Sequence, residues 1–345
     1  MITIDGSIGG GQLLRTAVSL SALTGKAVKI TNIRKGKAEG KPGLRPQHLM
    51  GIKVLGEFCQ AGIKGLEENS LEVEFIPKKL KVYDKKIDIG TAGSISLLLQ
   101  TVTPLLLFND KPVTLEITGG TETRWSPTIQ FIKYVTYPIL NKMGANLSLE
   151  IVRHGYYPKG GGKVIVTSKP VKKLNSLICL DRGEIRDIQI YSICGHLPKD
   201  VAERQGKSAL STIQYYCPKT KIFMSYEAVD SLSPGTSVTC YANCDYSILG
   251  GDYLGELGLR AEIVGQRAAE ELLKSLNSKA CLDKFMADQI LVFLALAKGE
   301  SKVKAEEITE HCRTNIQAIE EILPIEFKIE KEKKEISIEG IDFKL

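Results

Sequence analysis

One plan recurs along the chain, and that recurrence constrains the fold more than any single motif. A β-rich run is followed by a polar loop, an amphipathic helix, a glycine and a second β-rich run. The first copy passes from Ala27-Val28-Lys29-Ile30-Thr31, through a helix near Gln47–Gln60, to Gly65 and Leu71-Glu72-Val73-Glu74-Phe75. In that helix Met50, Val54, Leu55, Phe58 and Cys59 keep the three-to-four spacing that gathers apolar side chains on one face. The second copy begins at Val113-Thr114-Leu115-Glu116-Ile117, predicts a helix over Ile129–Met143, and leaves through Gly144 into Leu147-Ser148-Leu149-Glu150-Ile151. A C-terminal segment, with a helix near Thr314–Ile322 and strands after it, reads as a third, degenerate copy. Units of this kind bury their faces by packing on one another. The expected fold is therefore α/β (α+β), with three repeated sheet-plus-two-helix units in one large domain.

A stretch of different texture separates the second copy from the third. From Arg182 to Val264 short β-like runs (Ile188–Ile193, Lys221–Tyr226, Ser237–Ala242) alternate with turn signals such as Ser233-Pro234-Gly235. This predicts a smaller inserted α/β domain over 182–264, with the large domain formed by 1–181 and 265–345. A helix at Gln266–Leu276, apolar at Ala269, Leu272, Leu273 and Leu276, opens the return. At 345 residues the chain exceeds what one core usually organises, and its 43% hydrophobic and 25% charged residues suit folded domains. The start, Met1-Ile2-Thr3-Ile4, has no basic-then-apolar leader, and no apolar run approaches the roughly 18–20 residues that cross a bilayer. A cytoplasmic protein with no membrane partner is expected. The eight cysteines lack paired C-x-x-C spacing and read mostly as small buried apolar residues.

Three glycine-rich elements carry the chemical signal. Gly9-Gly10-Gly11-Gln12 opens an amphipathic helix, Leu13 to Thr24, that closes at Gly25. Backbone N–H groups at such a helix start can approach an anion closely, and the helix field favours it there. A second glycine-rich start, Ile89-Gly90-Thr91-Ala92-Gly93-Ser94, leads into Ile95–Gln100, where polar Gln100 interrupts the apolar Leu97–Leu99. The third element is Arg153-His154-Gly155-Tyr156-Tyr157-Pro158-Lys159-Gly160-Gly161-Gly162. Net charge is only +6, yet Arg34, Lys35, Lys37, Lys41 and Arg45 cluster just before Gln47-His48, a group suited to gripping polyphosphate or a nucleic-acid backbone.

The third element resembles the signature of the RNA 3′-terminal phosphate cyclase family, and other stretches match in order. They are Asp5-Gly6-Ser7 with Gly9-Gly10-Gly11-Gln12, Pro42-Gly43-Leu44-Arg45-Pro46-Gln47-His48-Leu49, Gly90-Thr91-Ala92-Gly93-Ser94 with Leu99-Gln100, Gly119-Gly120-Thr121 with Trp125-Ser126-Pro127, Ala287-Asp288-Gln289, and His311-Cys312-Arg313-Thr314-Asn315. The resemblance implies an ATP-dependent enzyme that turns an RNA 3′-phosphate into a 2′,3′-cyclic phosphate. In that pattern His311 is the nucleophile that carries AMP. Phe285 replaces a Tyr that stacks on adenine, Pro127 covers the opposite face, and Met286, Ala287, Asp288, Gln289 and Gln100 complete the ATP site. Gly10, Gly11, Gln12, Arg15, Arg34, Lys37, Gln47 and His48 would hold phosphates of ATP or of the RNA end. The implied partners are ATP with Mg2+ or Mn2+ and RNA bearing a 3′-phosphate, and exposed β edges leave room for a homodimer.

Two departures stand out. The family usually has two more residues before the glycine triplet, one a metal-binding Glu. Here only Ile8 separates Ser7 from Gly9, so the metal ligand is unknown. Lys37 roughly takes a position usually filled by Arg, which keeps charge but loses the bidentate fork. The alternatives from other classes are a non-catalytic cyclase-like scaffold of ribosome assembly, which has no use for His311, and an enolpyruvyl-type small-molecule transferase built of similar units.

Overall fold

A computed structural model describes residues 1–36 and 42–345. The first unit comprises β1 (Ile2–Asp5), α1 (Gly10–Thr24), β2 (Val28–Thr31), α2 (Pro46–Cys59), β3 (Gly62–Lys64) and β4 (Val73–Ile76). The second comprises β5 (Lys85–Asp88), α3 (Ile95–Leu107), β6 (Val113–Gly119), α4 (Ile129–Phe131), a π-helical turn over Ile132–Thr136, α5 (Tyr137–Lys142), β7 (Leu147–Arg153) and β8 (Gly162–Ser168). A short strand, β9 (Ile178–Cys179), then precedes a separate module of β10 (Ile185–Gly195), α6 (Lys199–Tyr216), β11 (Ile222–Val229), β12 (Gly235–Cys244), β13 (Ile248–Leu254) and α7 (Ala261–Asn277). The chain ends with α8 (Lys284–Gln289), α9 (Leu291–Leu296), β14 (Lys298–Lys304), α10 (Glu310–Ile322), β15 (Lys328–Glu330) and β16 (Glu335–Ile341).

The three units share one sheet topology. Strand orders β1-β2-β4-β3, β5-β6-β8-β7 and β9-β14-β16-β15 are equivalent. In each sheet the first pair is parallel and the other two are antiparallel. The third copy is therefore not degenerate in topology. Its opening strand β9 lies before the inserted module and pairs with β14 through Lys302 and Val303 far downstream, which hides the repeat from a linear reading.

Side chains of all three units merge into one apolar core, and the module β10–β13 with α6 and α7 has a second core of Ile188, Ile190, Ile213, Val238, Cys240, Leu249, Val264 and Leu272. The helix expected to open the return, α7, packs on α6 and β13 and belongs to that second core. The module also rests on the second unit. Tyr134 of the π turn stacks on Tyr191 of β10 (4.7 Å) and Tyr241 of β12 (5.4 Å), while Asp252 Oδ2 of β13 accepts from the Thr128 amide at 2.7 Å. Among the described residues no helix is long and apolar enough to cross a membrane.

Local chemistry explains where elements start, bend and stop. Gly25, with φ 75°, ends α1 in the left-handed conformation and its N–H returns to the Ser21 carbonyl, as a C-capping glycine does. α3 outlasts the expected stop, running past Pro104 to Leu107. Proline cannot donate to the carbonyl four residues back, and near that gap the Thr103 hydroxyl donates to the Leu99 carbonyl at 2.6 Å. Similarly, the single helix expected over 129–143 is broken by the π turn just before Pro138, which again lacks an amide to donate.

α1 is the hinge of the architecture. It packs against α2, α3 and α10 and is buried on nearly every side, not amphipathic as its spacing suggested. A helix enclosed in this way must find partners for every polar side chain it carries. Gln12, Arg15, Thr16 and Ser19 are such side chains.

Candidate active site

Arg15 stands at the meeting point of two adjoining recesses. The larger, enclosing about 500 Å3 of space open to solvent, is lined by Gln12, Arg15, Thr16 and Ser19 of α1, Leu99, Gln100 and Pro104 of α3, Thr136, Tyr137 and Leu140 around the π turn, and Gln289. The smaller, about 200 Å3, is lined by Arg15 with Gln47, His48 and Gly51 of α2 and Thr101 of α3. The guanidinium donates through Nη2 to Gln12 Oε1 at 2.5 Å, while its Nε and the Gln100 Oε1 are buried without a partner among the described residues. Buried donors and acceptors left in this state are costly, so water or a polar ligand in the recess would complete them.

Burial lowers the Arg15 guanidinium to about 10, against the pull of nearby Asp288, so it remains a cation at neutral pH. Burial likewise raises the Asp288 carboxyl to about 7; Arg15 opposes that rise and Asp283 adds to it. Asp288 is thus poised to exchange a proton near neutrality. Asp283 acts as the N-cap of α8, accepting from the amides of Phe285 (3.0 Å) and Met286 (2.8 Å), and it also accepts from Gly250 (3.1 Å). That cap fixes the turn on which Asp288 and Gln289 stand, and Gln289 Oε1 accepts from the Thr136 hydroxyl at 3.4 Å.

The glycine-rich start of α1 lies between the Arg15 recesses and α10. Gly9 and Gly10 take positive φ (85° and 61°), open to glycine at little cost, and turn the first amides of α1 outward with no side-chain cap. A methyl group on Gly9 would lie 2.7 Å from the Thr314 side chain of α10, and one on Gly11 would lie 2.5 Å from His48 Nε2 and 3.0 Å from Arg15 Nη1. The His48 Nδ1 accepts the Arg45 amide at 3.1 Å, which leaves the ring proton of the neutral imidazole on Nε2, the nitrogen facing Gly11 and Arg15. Amides, an imidazole N–H and a guanidinium converge there, which is a donor set for an anion.

His311 is exposed in the first turn of α10, whose N-cap Thr309 accepts from the Cys312 amide at 3.1 Å. It lines neither recess, but its helix is tied to both. Asn315, one turn on and fully buried, accepts from the Thr16 hydroxyl of α1 and donates to the Asp288 carbonyl at 2.7 Å. Thr16 and Asn315 are the positioning residues that sequence reasoning missed, although Asn315 ends the run His311-Cys312-Arg313-Thr314-Asn315.

The other expected site residues are scattered around this centre. Arg34 is half-buried, and burial followed by the neighbouring Arg45 charge lowers its guanidinium, so two like charges face one region beside Gly43. Phe285 is half-buried, edge-on to Phe131 at 6.2 Å and beneath Lys284 Nζ at 5.0 Å. Phe131 follows half-buried Pro127 by four residues, so the two expected adenine walls belong to neighbouring segments, outside both recesses. Met286 and Ala287 are fully buried, and their amides already donate to Asp283. Lys37 lies outside the described residues. Among the described residues no group of three or more His, Cys, Asp or Glu side chains gathers as a metal site. Asp5, the carboxylate nearest the glycine turn in sequence, is engaged by the Ser7 amide (3.1 Å), the Ser7 hydroxyl (2.9 Å) and Asn32 (3.1 Å).

Comparison with known proteins adds an independent line. The family model described as RNA 3′-terminal phosphate cyclase matches residues 7–329. Proteins of that name from Pyrobaculum aerophilum (42% identical, 99% of both chains) and from Pyrococcus abyssi (42%, 96% of both chains) and Pyrococcus furiosus (43%, 95% of both chains) align over nearly the full length. A solved structure, the enolpyruvyl transferase NikO from Streptomyces tendae, shares 12% identity at a TM-score of 0.25 over 98% of this chain and 51% of that one, too little to bear on the fold. The triplicated unit, the anion-directed glycine turn and these full-length matches agree: the chain belongs to the RNA 3′-terminal phosphate cyclase family.

Proposed function

We propose that this protein uses ATP to convert an RNA 3′-terminal phosphate into a 2′,3′-cyclic phosphate, with His311 carrying the adenylyl group. A neutral His311 imidazole attacks the α-phosphorus of ATP, the bond to the β-phosphate oxygen breaks, and pyrophosphate leaves with its electron pair. An oxygen of the RNA 3′-phosphate next attacks the same phosphorus, releasing the imidazole and forming a pyrophosphate link to AMP. Finally the neighbouring 2′-hydroxyl attacks the RNA phosphorus, loses its proton, and expels AMP.

The observation that carries this reading is the lock between α10 and α1. Thr314 packs against Gly9, and Asn315 joins Thr16 and the Asp288 carbonyl, which ties the helix bearing His311 to α1, near whose start Gly11, His48 and Arg15 converge. Those donors match the charge that accumulates on phosphoryl oxygens during each transfer. Arg15 and Gln100 supply unsatisfied polar atoms to the nucleotide in this reading, and Pro127 with Phe285 flanks the base. Mg2+ or Mn2+ accompanies the phosphates of ATP, as a strongly hydrated hard ion can, and no step is assigned to a protein-bound metal.

Incubation with ATP labelled at the α-phosphate and Mg2+ tests the assignment. Wild type is expected to form an acid-labile, alkali-stable protein adduct that His311→Ala cannot form. Label retained by the variant rejects His311 as the carrier, and no adduct in wild type favours a non-catalytic scaffold.

A further inference from the structure

The largest apolar side chain in the sequence stands in water. Trp125, the single tryptophan, is 88% exposed and holds φ 61°, a left-handed conformation that is unfavourable for a non-glycine residue. Its loop is nonetheless tightly held. Ser126 Oγ accepts from Ser94 Oγ at 2.9 Å and donates to the Thr123 carbonyl at 3.0 Å, and Arg124 pairs with Glu256 at 2.9 Å. Thr128 just beyond is fixed by Asp252. A rigid loop thus displays the indole face.

The position of that loop gives the display a meaning. Three glycine-rich loops stack at one end of the second sheet. A methyl on Gly120 would lie 2.5 Å from the Ala92 carbonyl, one on Gly160 would lie 2.8 Å from Ala92 Cα, and one on Gly93 would touch Gln47 Cβ at 3.8 Å. A continuous rim therefore leads from Gln47, in the wall of the smaller recess, across residues 91–94 to the Trp125 loop and to the loop bearing Tyr157. The Tyr157 ring is 80% exposed, although its neighbour Tyr156 is buried. Arg124 and Lys159 add exposed cationic side chains to the same two loops.

We propose that Trp125 is a stacking platform for an unpaired base of the RNA strand leading to the 3′-phosphate, with Tyr157 a second ring along the same rim. The proposal rests on the cyclase reading and extends it to how the strand is held. Aromatic faces accept any base, so the end is gripped without its sequence being read, and a base held in a duplex is not free to stack.

Because Trp125 is the single tryptophan, its emission reports on this site alone. Titration with a 3′-phosphorylated single-stranded hexaribonucleotide is expected to change that emission saturably, whereas ATP with Mg2+ is not, and an oligomer abasic at its last nucleotides should give a much smaller change. Trp125→Ala should raise the KM for RNA about 5- to 150-fold, keep kcat at saturating RNA, and leave formation of the ATP-derived adduct unaltered, with Trp125→Phe recovering most of the loss. The proposal is overturned if labelled RNA binds by anisotropy while the emission stays fixed, if ATP alone moves the emission, or if Trp125→Ala has the wild-type KM. Failure of the cyclase reading is separate: it shows as a missing adduct and a missing cyclic end, while the emission titration still decides the role of Trp125.

Discussion

Replacing Gly11 by alanine should separate activity from stability. Gly11 is the second residue of α1 and does not have positive φ, so the backbone accepts alanine. The new methyl would lie 2.5 Å from His48 Nε2 and 3.0 Å from Arg15 Nη1, where ordinary contact needs about 3.5 Å. The imidazole must therefore retreat by about 1 Å and the guanidinium by about half that. Both obstacles are ends of side chains that can turn, so overpacking of about 1–3 kcal/mol is partly offset by the up to about 1 kcal/mol that alanine gains over glycine in a helix. Net destabilisation should stay within about 2 kcal/mol. Catalysis has no such tolerance, since a 1 Å misplacement of positioning groups costs about 100-fold. Urea unfolding gives the first quantity, and the rate of adduct formation and of RNA cyclisation gives the second. Gly62→Ala is the control, because its methyl would meet only Ile76 Cβ at 4.0 Å. Gly11→Ala activity within threefold of wild type, or a stability loss above about 3 kcal/mol, would refute the placement of His48 and Arg15 beside the glycine turn.

Other perturbations test other links. Asn315→Ala strands the buried Thr16 hydroxyl and the Asp288 carbonyl, and should cost about 1–3 kcal/mol in urea unfolding together with slower adduct formation; a variant as stable and fast as wild type would contradict the lock. Because burial raises Asp288 to about 7, the folded protein keeps a proton that the unfolded chain has already released. The stability this provides is complete below about pH 4 and is lost as pH rises through 7. Wild type should therefore lose stability relative to Asp288→Asn between pH 4 and 7 and run level above about pH 8; parallel unfolding profiles would refute the raised carboxyl. Tyr134→Leu removes two stacked ring contacts with the inserted module and should cost about 1–3 kcal/mol, read as a lower urea midpoint.

What the sequence made legible was whatever local chemistry encodes. Alternating burial in β2 and β6 follows the alternation of their side chains, and Gly25 stops α1 where a left-handed residue is needed. α6 escaped notice because much of its inner face is small, with Ala202, Gly206 and Ala209 beside Gln205 and Ile213, so no apolar stripe stands out. β9 is too short for alternation to show, and its pairing is decided by β14 after the whole inserted module. The same distance limits the site. Arg15, Gln100 and His48 were legible as polar residues in apolar or glycine-rich surroundings, whereas Thr16 and Asn315 look like ordinary helix residues. Only folding brings them together across 299 positions. The resemblance supplied roles for Phe285 and Pro127, but the way Phe285 meets Phe131 edge-on depends on the π turn and the α8 cap that position their helices.

The split third sheet sets an order in time. β9 is synthesised with its acceptor strand β14 still about 120 residues away, an interval of roughly 6–25 s on the ribosome. During that interval the first two units can complete their sheets, while the edge that β9 will join does not yet exist. The module β10–β13 has its own core and can fold within the wait, holding the two ends of the gap together where Cys281 of the returning chain donates to the Cys179 carbonyl. α10 follows β14, and with it His311, so a chain interrupted before that helix holds the converging donors of α1 and α2 but lacks the proposed adenylyl carrier.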